Sequence, residues 1–228
     1  MSANAERGVR PAPARIIFIR HGAADGTSGR CIGRTDVPLS AAGAEAIREL
    51  VAANMRLWLS QAPSRDAVRV ISSDLRRALD SASIIAATLG VPLETDGRLR
   101  EMDFGDWDGR LWSEIEGCDP ERLRDWMACW QTNGHPPNGE ALDDLAARAD
   151  AWLAGIVAWF RDCPGIVVAV SHAGFIRTAI SRLRCQPLAR IFEIDIAHAE
   201  GLLVDWPLSV LARDGEAFRA NARETGTD

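Results

Sequence analysis

Four basic side chains in this 228-residue sequence come at, or shortly after, the end of an apolar, strand-like run: Arg20, His21, Arg77 and His172. Guanidinium groups bind phosphoryl oxygens in a bidentate manner and neutralise the charge that grows as a phosphate ester is cleaved. An imidazole with an ordinary pKa of about 6.5 is nucleophilic at neutral pH and can form a covalent N–P intermediate. These residue types together predict phosphoryl transfer with His21 as the nucleophile.

A proton donor for the leaving group is the next requirement, and Glu101 in the stretch LREMDFGDWDG is the candidate general acid. Each of these residues has a structural alternative. A single histidine at a strand end is usually structural, an arginine near a helix start is usually solvated or ion-paired, and Glu101 alone could be a surface carboxylate. The catalytic hypothesis depends on their joint occurrence.

Strands and helices alternate along the chain in a way that would position these side chains. Three short runs rich in β-branched residues, at 15–20, 67–72 and 165–171, are typical of strands buried on both faces. Helical spacing of apolar residues follows Ser40, which is a plausible N-cap, and recurs over 74–89 and 173–184. This order predicts a mainly parallel sheet covered by helices on both faces. Ligands bind beyond the carboxyl ends of such strands, so the basic side chains should converge on one rim.

The remaining segments predict one domain with an insertion. A Trp-rich region at 104–140 reads as an insertion over one end of the sheet, with helices near 112–116 and 121–130. Strands are predicted at 191–196 and 201–206, with 209–213 as an edge hairpin. We expect a disordered leader at 1–13, a single domain at 14–213 and a polar tail at 214–228.

Composition narrows the possible partners. The chain has 26 basic and 32 acidic residues, a formal charge of −6, and lacks the basic runs that bind nucleic acids or membranes. Its five cysteines are scattered without metal-ligand spacing, and its apolar runs fall short of a membrane span. These features predict a cytoplasmic enzyme that acts on a small-molecule phosphate ester without a metal or another cofactor. A monomer and a homodimer both stay open.

Five motifs occur in an order that resembles the histidine phosphatase superfamily, which includes the cofactor-dependent phosphoglycerate mutases. They are RHG at 20–22, GRTDVPLS at 33–40, SSDLRRA at 72–78, LREMDFGDWDG at 99–109 and SHAG at 171–174. The resemblance runs from about residue 15 to about residue 205. It implies a three-layer α/β/α sandwich with a mainly parallel central sheet and a small helical insertion over the active site.

The resemblance also implies a role for each matching residue. His21 would be phosphorylated, Glu101 would protonate the leaving group, and the phosphoryl oxygens would be held by Arg20, Arg77 and His172. Gly33 and Arg34, in the second motif, would complete the phosphate-binding set. Arg76 would be a helix-surface residue.

The stretch after Gly22 departs from the family pattern. It is one residue shorter than usual and lacks an asparagine that the family carries a few residues beyond RHG. Thr27 or Ser28 is the expected replacement for its hydrogen bond to phosphate. A single hydrogen bond to a charged group contributes about 1.5–3 kcal/mol, so phosphate affinity is affected more than the chemistry.

Within the superfamily, the sequence is most similar to the α-ribazole phosphatases of cobalamin assembly, through GRCIGRTDVPLS, EMDFGDWDGR, the PNGE loop at 137–140 and SHAGFIRTAI. This similarity implies a nucleotide-like 5′-phosphate as substrate. Its base would lie against a wall of tryptophans, for each of which core packing is the alternative: Trp107, Trp112, Trp126 and Trp130. His135 and Glu140 are further candidates for substrate contact, whereas His198 is expected to be structural.

Three other functions stay open. A phosphoglycerate mutase would use the same groups, although the short insertion and the divergent loop after RHG argue against it. A broad-specificity phosphatase of another small metabolite would share the motifs. A non-catalytic phospholigand-binding module would have lost its nucleophile or acid, whereas His21 and Glu101 are both present.

Overall fold

A central five-stranded sheet organises the protein in the computed structural model, which describes residues 14–129 and 134–205. The strands are β1 Arg15–Arg20, β2 Val68–Ser72, β3 Leu93–Thr95, β4 Ile166–Ser171 and β5 Gly201–Asp205. Their order in the sheet is β3-β2-β4-β1-β5. All neighbouring strands are parallel except β5, which is antiparallel to β1. The prediction of a mainly parallel sheet is confirmed.

Four helices cover the two faces of this sheet: α1 Ala41–Gln61, α2 Arg76–Leu89, α5 Leu142–Asp162 and α6 Ala173–Leu183. Two more, α3 Trp112–Cys118 and α4 Pro120–Cys129, pack in a separate cluster in the insertion. Side chains of α1 and α2 pack on one face, around Ile47 and Ile85. Those of α5 and α6 pack on the other, around Trp152 and Phe175. Helices on both faces complete the three-layer α/β/α sandwich that the sequence predicted.

Burial on both faces explains why the central strands are continuously apolar. In β1, Ile16 and Phe18 enter the core beneath α5 and α6, while Ile17 and Ile19 enter the core beneath α1 and α2. Every residue of β4 is buried. A strand between two helical layers has no solvent face, so the alternation of polar and apolar residues disappears.

Local signals at the helix ends act as the sequence predicted. Ser40 caps α1, because its Oγ accepts a hydrogen bond from the Gly43 N–H at 2.9 Å. Gly90 ends α2 in the left-handed conformation at φ 68°, where glycine has no steric penalty. The predicted insertion helices near 112–116 and 121–130 correspond to α3 and α4.

Two elements differ from the sequence predictions. The strand predicted at 191–196 is wrong, because Leu188–Glu193 forms a 3₁₀ helix. Buried Ile191 and Ile194 are three residues apart, which is the period of a 3₁₀ helix. One edge of β1 is already paired with β5, so that edge has no place for a strand at 191–196. The three-residue β3 was not predicted, since it is too short for a distinct pattern.

Several predictions fall on segments outside the described residues: the leader at 1–13, the hairpin at 209–213, the tail at 214–228 and the place of Trp130. Within the described part, no helix combines the length and the apolar character needed to cross a membrane.

Candidate active site

The imidazole of His21 lies at the carboxyl end of β1 with an unprotonated Nε2. Its Nδ1 lies 2.7 Å from the carbonyl oxygen of Gly22. A carbonyl can only accept, so Nδ1 carries the proton and Nε2 is unprotonated. Burial, followed by the positive charge of Arg77, lowers the pKa of His21 to about 3. The ring is therefore neutral at physiological pH and needs no separate base to act as a nucleophile.

Arg77, in the first turn of α2, places its guanidinium beside this nitrogen. Its Nε–H donates to Nε2 of His21 at 3.3 Å. Its two Nη atoms donate to the carbonyl oxygens of Thr35 at 2.8 Å and Gly33 at 2.7 Å. Each Nη carries a second N–H, which is available to a ligand in front of His21. Burial lowers the pKa of Arg77, but a guanidinium remains charged at neutral pH.

His172 lies on the other side of His21, with ring centroids 5.0 Å apart. It is completely buried, and this burial holds its pKa well below the usual value. Its Nε2 lies 2.9 Å from Oγ of Ser73, which accepts a hydrogen bond from the Leu75 N–H. When the Ser73 hydroxyl donates its own proton to Nε2, Nδ1 of His172 carries the N–H. This Nδ1 is buried without a partner in the described part of the chain.

Arg20 supplies a second guanidinium. One Nη donates to the carbonyl oxygen of Ile196 at 2.9 Å, while its buried Nε lacks a partner among the described residues. Burial lowers the pKa of Arg20, and the carboxylate of Glu101 opposes that shift. Buried polar groups are rarely left unpaired. The unpaired donors of Arg20 and His172 therefore suit an anionic ligand in front of His21.

The carboxylate of Glu101 lies near the guanidiniums of Arg20 and Arg77 and is hydrogen-bonded to the first turn of α6. Its Oε1 accepts from the Met102 N–H at 3.0 Å, and its Oε2 accepts from the Gly174 N–H at 3.2 Å. A Cβ added at residue 174 would lie 2.4 Å from Oε1 of Glu101, so the glycine of the SHAG motif makes room for this carboxylate. A partly exposed carboxyl group beside two cations can exchange protons with a bound ester or with water.

Asp108 was not singled out from the sequence, yet it organises one wall of the site. Its carboxylate accepts hydrogen bonds from the backbone N–H groups of Gly33, Arg34 and Thr35, and from the Thr35 hydroxyl. The carbonyl oxygens of this same loop hold Arg77. Its place in the LREMDFGDWDG motif was the signal that could have identified it.

The other predicted phosphate ligands lie further from His21. The N–H of Gly33 donates to Asp108, so its link to a phosphoryl group runs through Arg77. Arg34 has a buried Nε without a partner in the described residues, and one Nη lies 3.8 Å from the Glu140 carboxylate. Neither residue has a contact with His21 in the structure, and both assignments stay predictions.

Thr27 and Ser28 line an open groove of about 600 Å³ together with Ser40, Ala42 and Leu111. The Thr27 hydroxyl donates to the Ala24 carbonyl oxygen at 3.1 Å. None of the histidines and arginines described above is among the residues that line this groove. A phosphate contact from Thr27 stays a prediction.

The Trp-rich insertion forms an aromatic cluster beside the loop that holds Arg77. Trp112 and Trp126 are partly buried and stack with ring centroids 6.3 Å apart. Trp107 is only 1% exposed, so its proposed place in a substrate wall is wrong and core packing explains it.

The Glu140 carboxylate is bound by Arg148 and by the Asp103 N–H. His135 lies with Nδ1 2.9 Å from the Pro136 carbonyl oxygen.

His198, which was expected to be structural, is exposed, and its ring centroid lies 5.3 Å from that of His21. Its position alone does not test that expectation, since a ring beside the nucleophile can pack against it or bind a ligand. Partial burial, and then the charges of Arg20 and Arg77, lower its pKa to about 4. The site thus contains three neutral histidines and two guanidiniums. The alanines on either side of His198 in the sequence gave no signal that this histidine lies beside His21.

No set of three or more His, Cys, Asp or Glu side chains within residues 14–129 and 134–205 is arranged to hold a metal ion. The arrangement described above can bind a phosphoryl dianion through cationic and N–H donors. It can also present a neutral imidazole nitrogen to the phosphorus atom.

Comparison with known proteins agrees with this chemistry. Adenosylcobalamin/α-ribazole phosphatase from Salmonella typhimurium is 30% identical over 183 residues, which cover 80% of this chain and 85% of the relative. Glucosyl-3-phosphoglycerate phosphatase from Mycobacterium tuberculosis is 33% identical over 184 residues, 77% of each chain. Both relatives are phosphatases.

Solved structures show the same fold. A putative α-ribazole-5′-P phosphatase from Escherichia coli aligns with a TM-score of 0.72 and 26% identity, covering 85% of this chain and 90% of the other. The native mycobacterial glucosyl-3-phosphoglycerate phosphatase aligns with a TM-score of 0.72 and 28% identity, covering 83% and 89%. The model of the histidine phosphatase superfamily (branch 1) matches residues 16–208. With the site geometry, these matches show that the chain belongs to the histidine phosphatase superfamily and is a phosphatase.

Proposed function

We propose that this phosphatase hydrolyses α-ribazole 5′-phosphate through a phosphohistidine at His21. One observation carries the catalytic part of the proposal: the unprotonated Nε2 of His21 accepts a hydrogen bond from the Arg77 guanidinium, and nearby Arg20 and His172 have nitrogens without a partner among the described residues. The α-ribazole part is supported by relatives of that name, whose similarity covers most of both chains.

The proposed reaction has two steps that share one site. In the first, Nε2 of His21 forms a bond to phosphorus while the ester P–O bond breaks, and protonated Glu101 gives its proton to the leaving oxygen. Arg20, Arg77 and the Nδ1–H of His172 hold the phosphoryl oxygens as charge spreads over them. The Gly22 carbonyl keeps Nδ1 of His21 protonated, which fixes Nε2 as the reacting nitrogen.

In the second step, water replaces the alcohol. The Glu101 carboxylate removes a proton from a water molecule, the water oxygen bonds to phosphorus, and the N–P bond breaks. Inorganic phosphate leaves, His21 is again neutral and Glu101 is again protonated. The low pKa of His21 suits this step, because a weakly basic nitrogen is a good leaving group from phosphorus.

A second substrate has support from the mycobacterial relatives, whose name specifies glucosyl-3-phosphoglycerate. That ester carries a carboxylate, and Arg34 offers a partly buried guanidinium with an unpaired Nε in the described residues. The two substrates carry the same phosphoryl group on different leaving groups. A comparison of their kcat/KM values therefore measures the specificity of the site separately from its chemistry. A phosphoglycerate mutase activity would instead return the phosphoryl group to the substrate and would need a bisphosphate primer.

A phosphate-release assay without added metal tests these assignments. The panel contains α-ribazole 5′-phosphate, glucosyl-3-phosphoglycerate, 3-phosphoglycerate and p-nitrophenyl phosphate. We expect kcat/KM to be highest for α-ribazole 5′-phosphate, with stoichiometric release of inorganic phosphate. A higher value for another ester would reassign the substrate, and isomerisation of 3-phosphoglycerate with a bisphosphate primer would reassign the reaction.

The nucleophile is tested by trapping. Rapid acid-free denaturation during turnover of a ³²P-labelled ester should leave label on the peptide that contains His21, and His21→Ala should abolish both label and turnover. Turnover by that variant at the wild-type rate would contradict the mechanism.

A cytoplasmic location and a homodimer belong to the same proposal, and size-exclusion chromatography with light scattering tests the oligomeric state.

A further inference from the structure

The turn that carries His198 is fixed to the end of β1. The Ala199 N–H donates to the carbonyl oxygen of Arg20 at 3.1 Å, and the Arg20 N–H donates to the carbonyl oxygen of Glu200 at 3.1 Å. The Arg20 side chain also binds the Ile196 carbonyl oxygen at 2.9 Å. Ala199 adopts φ 54°, an unfavourable value for a residue with a Cβ, so these contacts determine the turn. His198 is therefore held in a defined position relative to the phosphate-binding arginine.

The His198 ring lies beside the nucleophile and has donor capacity to spare. Its centroid is 5.3 Å from that of His21, at an interplanar angle of 53°. The segment that leads into its turn also binds the Arg20 guanidinium through the Ile196 carbonyl oxygen, so the ring lies close to a phosphate-binding arginine. Neither ring nitrogen hydrogen-bonds to another described residue. The neutral ring therefore has one N–H donor and one acceptor without a partner among these residues.

The loop after Gly22 makes no side-chain hydrogen bond to His21 among the described residues. That loop begins with Ala23 and Ala24, and the Thr27 hydroxyl is bonded to the Ala24 carbonyl oxygen at 3.1 Å. His172 and Arg77 also lie beside His21 and are both buried, whereas His198 is exposed. His198 therefore lies on the solvent side of His21.

We propose that His198 is a catalytic residue that donates a ring N–H to an oxygen of the phosphoryl group transferred to His21. The inference rests on the proposed function and deepens it, because it assigns one more ligand to the same phosphoryl group.

Three substitutions separate donation from packing. His198→Ala removes the ring, His198→Phe keeps a ring against His21 without a donor, and His198→Asn keeps an N–H donor without the ring. We expect Ala and Phe each to weaken inhibition by inorganic phosphate and to lower kcat/KM for p-nitrophenyl phosphate by about 10- to 100-fold, the loss of one hydrogen bond to a charged group. His198→Asn should recover most of that loss.

Arg190→Ala is the matched control, because Arg190 lies in the preceding 3₁₀ helix and forms a surface ion pair with Glu193. It should leave both constants within about twofold of the wild-type values. Thermal unfolding of every variant should match the wild type within a few degrees, since His198 is exposed.

The outcomes distinguish a failure of the His198 assignment from a failure of the proposed function. Wild-type turnover with unchanged constants in His198→Ala overturns the role of His198 and leaves the proposed function intact. Full activity in His198→Phe assigns the ring to packing and likewise overturns donation. Absence of hydrolysis and of phosphate binding in the wild-type protein overturns the proposed function and this inference together.

Discussion

The rim at the strand ends and the Trp-rich insertion border the same site but are built differently. At the strand ends, the functional side chains are buried and held by backbone groups, as when two carbonyl oxygens fix Arg77. In the insertion, aromatic rings such as Trp112 and Trp126 pack on one another and keep part of their surface exposed. The first construction fixes atoms for chemistry, and we propose that the second provides a surface against which different leaving groups lie. Substitutions should therefore divide into losses common to all substrates and losses specific to one.

Among the residues that surround His21, the largest effect is expected at Arg77. Arg77→Ala removes a buried cation beside Nε2 of His21, and we expect kcat/KM for p-nitrophenyl phosphate and α-ribazole 5′-phosphate to fall at least about 100-fold. Arg77→Lys should rescue little, because an ammonium cannot reproduce the three directions in which the guanidinium donates. Arg76→Ala is the control, since its side chain is exposed on the adjacent position of α2. Unequal losses on the two substrates would show that Arg77 also contributes to specificity.

Asp108 tests whether the insertion supports the chemistry from a distance. Asp108→Ala leaves the N–H groups of Gly33, Arg34 and Thr35 without their acceptor, which should loosen the loop that positions Arg77. We expect kcat to fall by about 10- to 100-fold on every substrate, because a catalytic group that is displaced by about 1 Å loses this much of the rate. Asp106→Ala should have little effect, because Asp106 is exposed, its carboxylate accepts from the Asn138 side chain, and its backbone N–H donates to the Pro137 carbonyl oxygen. A loss confined to KM would contradict the positioning role.

The sequence predicted which side chains lie at the strand ends but not which loop side chains lie beside them, for a physical reason. Parallel strands bring their carboxyl ends to one edge, so the placement of Arg20, His21 and His172 follows from strand order alone. The positions of His198 and Asp108 depend on how loops pack against that edge, and loop packing has no periodic signal. For the same reason, Trp107 and Trp112 look alike in the sequence although only one is fully buried.

Buried neutral histidines should make the rim at the strand ends sensitive to acid. The pKa values of His21 and His172 are lowered by burial, to about 3 for His21, so below pH 6.5 the unfolded chain takes up protons that the native state excludes. The free energy of unfolding should thus fall as the pH decreases from about 6.5 toward 4, by up to about 1.4 kcal/mol per pH unit for each ring. Urea unfolding at several pH values measures this. His172→Asn should show a shallower dependence, and an identical slope would contradict the assignment.

The smallest effect is expected in the insertion, at Trp112. Its ring stacks on Trp126 and meets Phe104 edge-on at 6.2 Å, and its partly exposed face is available to a bulky leaving group. An aromatic contact contributes about 0.5–1.5 kcal/mol, so Trp112→Ala should raise KM for α-ribazole 5′-phosphate by about 2- to 10-fold. The kcat for p-nitrophenyl phosphate should stay within about twofold, as it should in the control Met127→Ala on the exposed face of α4. If Trp112→Ala lowers kcat equally on both substrates, the aromatic cluster supports the Arg77 loop rather than the leaving group, and the division between the two regions fails.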